Sequence, residues 1–193
     1  MLTFIQAHWR WALLAPLLMV LGTVLHEGAH ALMTLALGGT VEDVSVLPAF
    51  GPHGLRFGWV DWSDLDASGS ALALLAPFLA AHVHALAGTL VVPRVKAPLG
   101  KLLFFTSVLL PLFDISMLHG GLFARRPSAD LSHFEDYALL FALIGWPTLF
   151  GLGVLAWRAF RSQWAGLERD QFALLLVMLL ALPWLRFITG LTH

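Results

Sequence analysis

Five consecutive residues in the first apolar stretch carry the groups needed for metal-assisted hydrolysis: His26, Glu27, Gly28, Ala29 and His30, which read HEGAH. On an α-helix, residues four apart lie on one face, so the two imidazoles can grip one metal ion while the carboxylate of Glu27 projects beside them. Neutral imidazole is a good zinc ligand, and zinc lowers the pKa of a bound water to about 7. A neighbouring carboxylate can take the proton as the water attacks a peptide carbonyl. The spacing therefore predicts a Zn²⁺ site with His26 and His30 as ligands and Glu27 as the general base.

The composition shows the setting in which this motif must work. Of the 193 residues, 59% are hydrophobic and 12% are charged, and the mean hydropathy is +0.80. Values this apolar predict an integral membrane protein. Because the chain has no Cys, a transition metal must be held by His, Asp or Glu. The net charge of -1, without a basic stripe, argues against nucleic acid as a partner. Ionisable groups at membrane depth are costly and are usually kept for function, which favours a chemical role for the motif.

The sequence predicts an all-α polytopic membrane protein. Residues 1–193 are predicted to form a single membrane-embedded domain that contains the motif. About five apolar stretches are long enough to cross a bilayer. A glycine pair, Gly38-Gly39, is predicted to end the first helix, and a β-hairpin is predicted over 40–62. That hairpin either pairs with an extended peptide along its edge or simply caps the bundle. The predicted spans are residues 9–37, 70–92, 102–122, 137–157 and 172–190.

Asp114, in the third predicted span, is the candidate for a third zinc ligand. A catalytic zinc ion usually has three protein ligands, and two His supply only two of them. A lone carboxylate in an apolar helix, in turn, needs a partner. At about 1.5 Å per residue, His26 lies about 22 Å along its span and Asp114 about 18 Å along a span that starts on the same side, so the two can meet. His119, nearer the far surface, is the alternative ligand. His82 and His84 lie two residues apart in the second span, do not share a helix face and are not predicted to bind one ion.

The distribution of basic residues predicts the orientation in the membrane. The loops predicted on the side of the N-terminus carry seven basic residues, and those opposite carry four. The positive-inside rule therefore favours a cytoplasmic N-terminus and a site that opens on the outer side of the cell membrane. The seven are Arg10, Arg94, Lys96, Lys101, Arg158, Arg161 and Arg169.

Taken together, these features resemble the site-2 protease group of intramembrane zinc metallopeptidases, the M50 family. The resemblance runs from Leu21 to Gly121 and rests on HEGAH in the first span, on the glycine pair followed by a β-like loop, and on Asp114 after Pro111. The step from Ala to Pro77 in the second span is also similar to a Gly-Pro step that the family often has at this place.

The resemblance implies a zinc-dependent endopeptidase. His26, His30 and Asp114 would be the zinc ligands, and Glu27 would be the general base. Such enzymes cut peptide bonds in or near membrane-spanning segments, so the implied partners are a transmembrane protein or peptide substrate and the lipid bilayer. Two other classes stay open: a divalent-metal transporter or sensor of the membrane, and a catalytically inactive family member that binds partners. A conduction path would need ionisable residues in successive spans, which this sequence lacks.

Overall fold

The computed structural model describes residues 2–47, 49–51, 54–56, 58–123, 138–166 and 169, and this part of the chain is mostly helical. Three helices in it are long and apolar enough to cross a membrane. They correspond to the spans predicted over 70–92, 102–122 and 137–157. The span predicted over 172–190 lies outside the described residues, and the span predicted over 9–37 falls in the helix Leu2–Ala36, which is not among the three. The helical class is thus confirmed. The three spans run over Ala67–Arg94, Leu99–Ser116 and Leu143–Gln163.

The secondary structure follows the predicted order, with a β region between the first two long helices. The helices are α1 (Leu2–Ala36), α2 (Ala67–Val91), α3 (Leu99–Phe104), α4 (Leu110–Phe123) and α5 (Ala138–Gln163). A 3₁₀ turn, Val92–Arg94, follows α2, and a π-helical turn, Phe105–Leu109, joins α3 to α4. The strands are β1 (Thr40–Ser45), β2 (Ala49–Gly51), β3 (Gly54–Arg56) and β4 (Trp59–Ser63). The chain forms two compact units, Met1–Pro77 and Phe78–His193, which are described separately.

In the first unit, α1 ends where the glycine pair predicts. Gly38 has φ +83°, a left-handed conformation that glycine adopts without steric cost. Its N–H donates to the carbonyl of Leu35 at 3.1 Å, and the N–H of Gly39 donates to the carbonyl of Thr34 at 2.9 Å. This pair of bonds is a Schellman motif, which satisfies carbonyls that the end of the helix would otherwise leave without donors.

The predicted hairpin over 40–62 is present as two antiparallel pairs, β1 with β4 and β2 with β3. Val44 lies opposite Val60 in the outer pair, and a bulge interrupts the register near Val41. Both β1 and β4 contact α1. Side chains alternate along β4, where Val60 is buried and Asp61 is exposed, as expected for a strand with one covered face. The hairpin therefore lies against the helix that carries HEGAH.

A side-chain cap begins α2. Asp66 Oδ1 accepts the backbone N–H of Gly69 at 2.6 Å and the hydroxyl of Ser68 at 3.0 Å. These two bonds, the Gly69 bond foremost, hold the pKa of Asp66 below its ordinary value. The cap fixes the point at which the chain leaves the hairpin and enters the second long helix.

In the second unit, an aromatic cluster joins α3 to the end of α5. The ring centroid of Phe160 lies 5.5 Å from that of Phe104 and 4.9 Å from that of Trp164. Phe160 and Trp164 are almost fully buried. This packing explains why α5 runs to Gln163, beyond the predicted end of its span at residue 157. Arg158 and Arg161, which led to the prediction of a loop there, lie on the exposed side of α5, whereas Phe160 lies on its buried side.

Close backbone contact joins α2 to the π-helical turn. A β-carbon placed on Gly88 would collide with the carbonyl oxygen of Ser107 and would lie 2.7 Å from its carbonyl carbon. Glycine at position 88 lets α2 approach this carbonyl directly.

Candidate metal centre

The three motif side chains lie on one stretch of α1. Glu27 is 8% exposed and His30 is 3% exposed, while His26 is half-buried. The ring centroids of the two His are 5.1 Å apart, with their planes at 75°. The structure therefore brings together the two imidazoles and the carboxylate that the spacing placed on neighbouring positions.

The imidazole of His30 is held by one specific hydrogen bond. Its Nδ1 lies 2.8 Å from the backbone carbonyl oxygen of Ala73 in α2. A carbonyl can only accept, so Nδ1 carries the proton and Nε2 carries the lone pair. Metal-binding His side chains typically donate their second ring N–H in this way, which fixes the tautomer and the orientation of the ring. Nε2 is therefore the ring nitrogen of His30 that could bind a metal.

Strand β4 covers this part of α1. The ring centroid of Trp62 lies 5.7 Å from that of His30, with the two planes tilted by 31°. At the start of the strand, a β-carbon placed on Gly58 would lie 2.8 Å from Glu27 Oε1 and 2.5 Å from Thr23 Cγ2. The backbone before β4 therefore abuts the carboxylate, and its aromatic residue flanks a histidine.

Gly58 and Trp62 were not among the predicted site residues. The sequence does contain a signal for Trp62, because it lies two residues after Val60 and so belongs to the same face of the strand. That face is the one turned to α1, as the burial of Val60 shows. No comparable signal marks Gly58, whose role depends on how closely two separate elements approach each other.

The residue types of this cluster are ones that bind zinc in proteins. Two imidazole nitrogens and nearby carboxylate oxygen are ligand types that zinc accepts, and no thiolate is needed. Glu27 is a carboxylate with 8% exposure, and burying its charge is costly unless positive charge or hydrogen bonds compensate. A divalent cation held by His26 and His30 would supply that positive charge beside it.

The other candidate ligands lie in the second unit. Asp114 is a half-buried residue of α4, followed by the fully buried Ile115. His119 is in the same helix, and its side chain is outside the described part. His82 donates from Nδ1 to the carbonyl of Phe78 in its own helix, at 2.6 Å. Among the described residues, no three or more His, Asp or Glu side chains form a group able to hold a metal. The ligand role of Asp114 stays a prediction.

Comparison with protein-family models, curated proteins and solved structures finds no match to this chain.

Proposed function

We propose that this chain is a zinc-dependent intramembrane endopeptidase, similar to the site-2 protease group, that cleaves peptide bonds in or near transmembrane segments of membrane proteins. The observation that carries the proposal is the hydrogen bond from His30 Nδ1 to the Ala73 carbonyl, at 2.8 Å. A buried imidazole whose Nδ1 proton is fixed in this way has Nε2 as its metal-binding atom, and the same stretch of α1 carries Glu27 and His26. A merely structural histidine would not need a carboxylate and a second imidazole beside it.

Each side chain has a separate role in the proposed reaction. His26 and His30 would hold the zinc, and Asp114 is the proposed third ligand. Bound zinc supplies Lewis-acid activation of a water molecule and of a peptide carbonyl. Glu27 takes the proton from the attacking water and then delivers it to the leaving amine. The low exposure of Glu27 limits competition from bulk water for that proton.

The hairpin supplies a surface for an extended substrate. In the described part of the chain, β1 pairs only with β4 and so has a second edge with unpaired backbone groups. A substrate segment that unwinds at the end of its helix can add to such an edge by backbone hydrogen bonds. The full proposal places this site in a multi-pass protein of the cell membrane with about five spans, including 9–37 and 172–190.

The experiment compares wild type with Glu27→Gln. The purified proteins are assayed for bound zinc and for cleavage of a model transmembrane substrate in detergent. We expect near-stoichiometric zinc in both and a loss of about 10²–10⁴-fold in the cleavage rate of the variant, because only the proton acceptor is removed. Asp61→Asn, which alters an exposed carboxylate of β4 outside the proposed docking strand, is the matched control and should cleave as wild type does.

Two outcomes would contradict the proposal. One is a Glu27→Gln variant that still cleaves at the wild-type rate. The other is a wild type that binds zinc, cleaves nothing and carries the ion into liposomes, which is the result expected of a transporter. Asp114→Ala is expected to lower zinc occupancy, and unchanged occupancy would move the third ligand to another residue.

A further inference from the structure

Pro77 interrupts the hydrogen-bond ladder of α2 at one defined carbonyl. It lies inside the helix, and proline has no backbone N–H. In an α-helix the N–H of a residue donates to the carbonyl four residues earlier. The carbonyl that loses its helical donor at Pro77 is therefore that of Ala73.

The same carbonyl accepts the proton of His30 Nδ1, at 2.8 Å. Ala73 is completely buried and His30 is 3% exposed, so water is not an alternative partner for either group. A buried carbonyl without a donor, or a buried imidazole N–H without an acceptor, costs free energy. Here the gap that Pro77 makes in one helix is filled by a side chain of another helix in the same unit.

The geometry points to Pro77 as a positioning residue for the metal ligand His30. By leaving the Ala73 carbonyl without a helical donor, Pro77 makes the imidazole N–H the group that satisfies it, which favours the proton on Nδ1 and leaves Nε2 for the metal. This inference rests on the proposed function in that the ligand of Nε2 is taken to be zinc. Outer hydrogen-bond partners of this kind typically change metal affinity by about 10- to 100-fold.

Pro77→Ala tests this inference because the substitution should make the protein more stable and, at the same time, weaken its binding of zinc. Alanine restores the N–H that donates to Ala73 and removes a helix breaker, so the unfolding temperature in detergent should rise. The zinc dissociation constant should also rise, by about 10- to 100-fold, because the carbonyl is now shared. A proline with a purely structural role would not produce this combination.

A spectroscopic measurement reports on the imidazole without any metal. In metal-free protein labelled with ¹⁵N-histidine, the His30 signals, assigned with His30→Asn, should show the Nδ1–H tautomer in wild type and a mixture of tautomers in Pro77→Ala. Pro147→Ala is the matched control, since Pro147 also lies inside a helix, α5, and should leave both tautomer and zinc affinity unchanged. A variant with an alanine side chain at position 77 and an ester oxygen in place of its backbone N–H has neither the proline ring nor a donor for the Ala73 carbonyl. It should therefore restore wild-type zinc affinity.

Unchanged zinc affinity or an unchanged His30 tautomer in Pro77→Ala would overturn the inference. Failure of the proposed function looks different. If wild type binds no zinc or Glu27→Gln still cleaves, the peptidase proposal fails, whereas the tautomer measurement still decides the role of Pro77.

A second, independent observation concerns one end of the second unit, where three elements are tied together. Gln163 Nε2, at the end of α5, donates to the carbonyls of Val92 at 2.9 Å and Val95 at 3.0 Å, in the turn that follows α2. At the start of the next helix, Lys101 Nζ lies 5.2 Å from the centroid of the Trp164 ring. The end of α2, the start of α3 and the end of α5 therefore meet.

This end is cationic and borders all three candidate spans. Two spans end there, at Arg94 and Gln163, and one begins there, at Leu99. Residues 88–113 and 138–166 contain five basic residues and no Asp or Glu. Trp157, 48% exposed, adds an aromatic side chain of the type found at membrane interfaces. The five are Arg94, Lys96, Lys101, Arg158 and Arg161.

We infer that this cationic end binds the phosphate headgroups of anionic phospholipids. Guanidinium groups match phosphate oxygens in a two-pronged geometry, and basic residues next to a span are attracted to an anionic leaflet. Its position at the ends of apolar helices selects a headgroup at the bilayer surface over a free anion. The inference does not depend on the peptidase activity.

The test measures lipid adducts by native mass spectrometry of the full chain in detergent, with phosphatidylglycerol and phosphatidylcholine as probes. Wild type should prefer phosphatidylglycerol, and Arg158→Gln/Arg161→Gln should weaken that binding by about 25-fold, at about fivefold per charge. Arg158→Lys/Arg161→Lys, which keeps the charge and loses the two-pronged geometry, should bind more tightly than the Gln variant and less tightly than wild type. Equal binding of the two lipids, wild-type binding by the Gln variant, or displacement of the lipid by inorganic phosphate would each overturn the inference.

Discussion

Gly58→Ala is the substitution that bears most directly on the carboxylate of Glu27. The added β-carbon would lie 2.8 Å from Glu27 Oε1, 2.9 Å from Glu27 Cγ and 2.5 Å from Thr23 Cγ2. Unbonded carbon atoms rest at about 3.5–4.0 Å. Either the carboxylate must turn away or the strand that follows Gly58 must withdraw from α1, and both movements disturb the position of the proposed base.

The size of the effect follows from these distances. Forcing an extra methyl group into a packed contact costs about 1–3 kcal/mol of unfolding free energy. A displacement of the catalytic group by about 1 Å lowers the rate about 10²-fold. Gly28→Ala is the matched control, because a β-carbon there meets nothing within 4 Å and alanine is favoured in a helix by about 0.5–1 kcal/mol. The two variants should therefore differ by about 1.5–4 kcal/mol in stability.

Three measurements on the purified variants in detergent separate the effects. Thermal unfolding gives the stability difference, zinc analysis shows whether the ligands still bind, and the single-turnover rate on a transmembrane substrate reports on Glu27. We expect Gly58→Ala to retain zinc, since neither His is displaced, and to lose rate about 10²-fold. If it cleaves and unfolds as wild type does, the close approach of the hairpin to Glu27 is refuted.

Three further substitutions test other contacts. Gly88→Ala should lower stability by about 2 kcal/mol, because its methyl group would collide with the Ser107 backbone. Gly151→Ala, where a methyl group meets nothing within 4 Å, should not lower stability. Thermal unfolding of the two variants checks both expectations. Asp66→Ala should lower the unfolding temperature at pH 7 by removing the cap of α2. Because the pKa of Asp66 is lowered in the folded state, its stabilisation is complete above about pH 4 and is lost as the pH falls through the folded pKa, so the difference from wild type should shrink in acid. Thr34→Val should raise stability by about 1 kcal/mol in the same assay, since the buried Thr34 hydroxyl has no hydrogen-bond partner in the described part of the chain.

Local rules were enough to predict the elements around the motif. The four-residue spacing in HEGAH puts His26 and His30 on one helical face wherever the helix lies. The glycine pair after α1 predicts its end, because only a residue that tolerates positive φ completes the Schellman bonds. Alternation and turn residues predict the hairpin over 40–62. Each of these features depends on residues close together in the sequence.

The contacts that prepare the site could not be predicted in this way. The acceptor of His30 is a backbone carbonyl 43 positions away, and every residue type has one. Pro77 marks that carbonyl, but only once the two helices are known to be neighbours. The extension of α5 to Gln163 depends on aromatic packing against α3. The polar residues of this segment, taken alone, predict a loop instead. Tertiary neighbours, not residue types, decide these features.

The π-helical turn at Phe105–Leu109 has a consequence for the helix that carries Asp114. A turn of this kind holds one residue more than an α-helical turn, and each residue advances the helical wheel by about 100°. Every side chain after Leu109 is therefore rotated about the axis relative to an uninterrupted α-helix from Leu99. Removing one residue from the turn would swing Asp114 to another face while leaving its immediate sequence intact. A single-residue deletion in this turn, far from HEGAH along the chain, would therefore move the proposed ligand Asp114 away from its position without changing the residue itself.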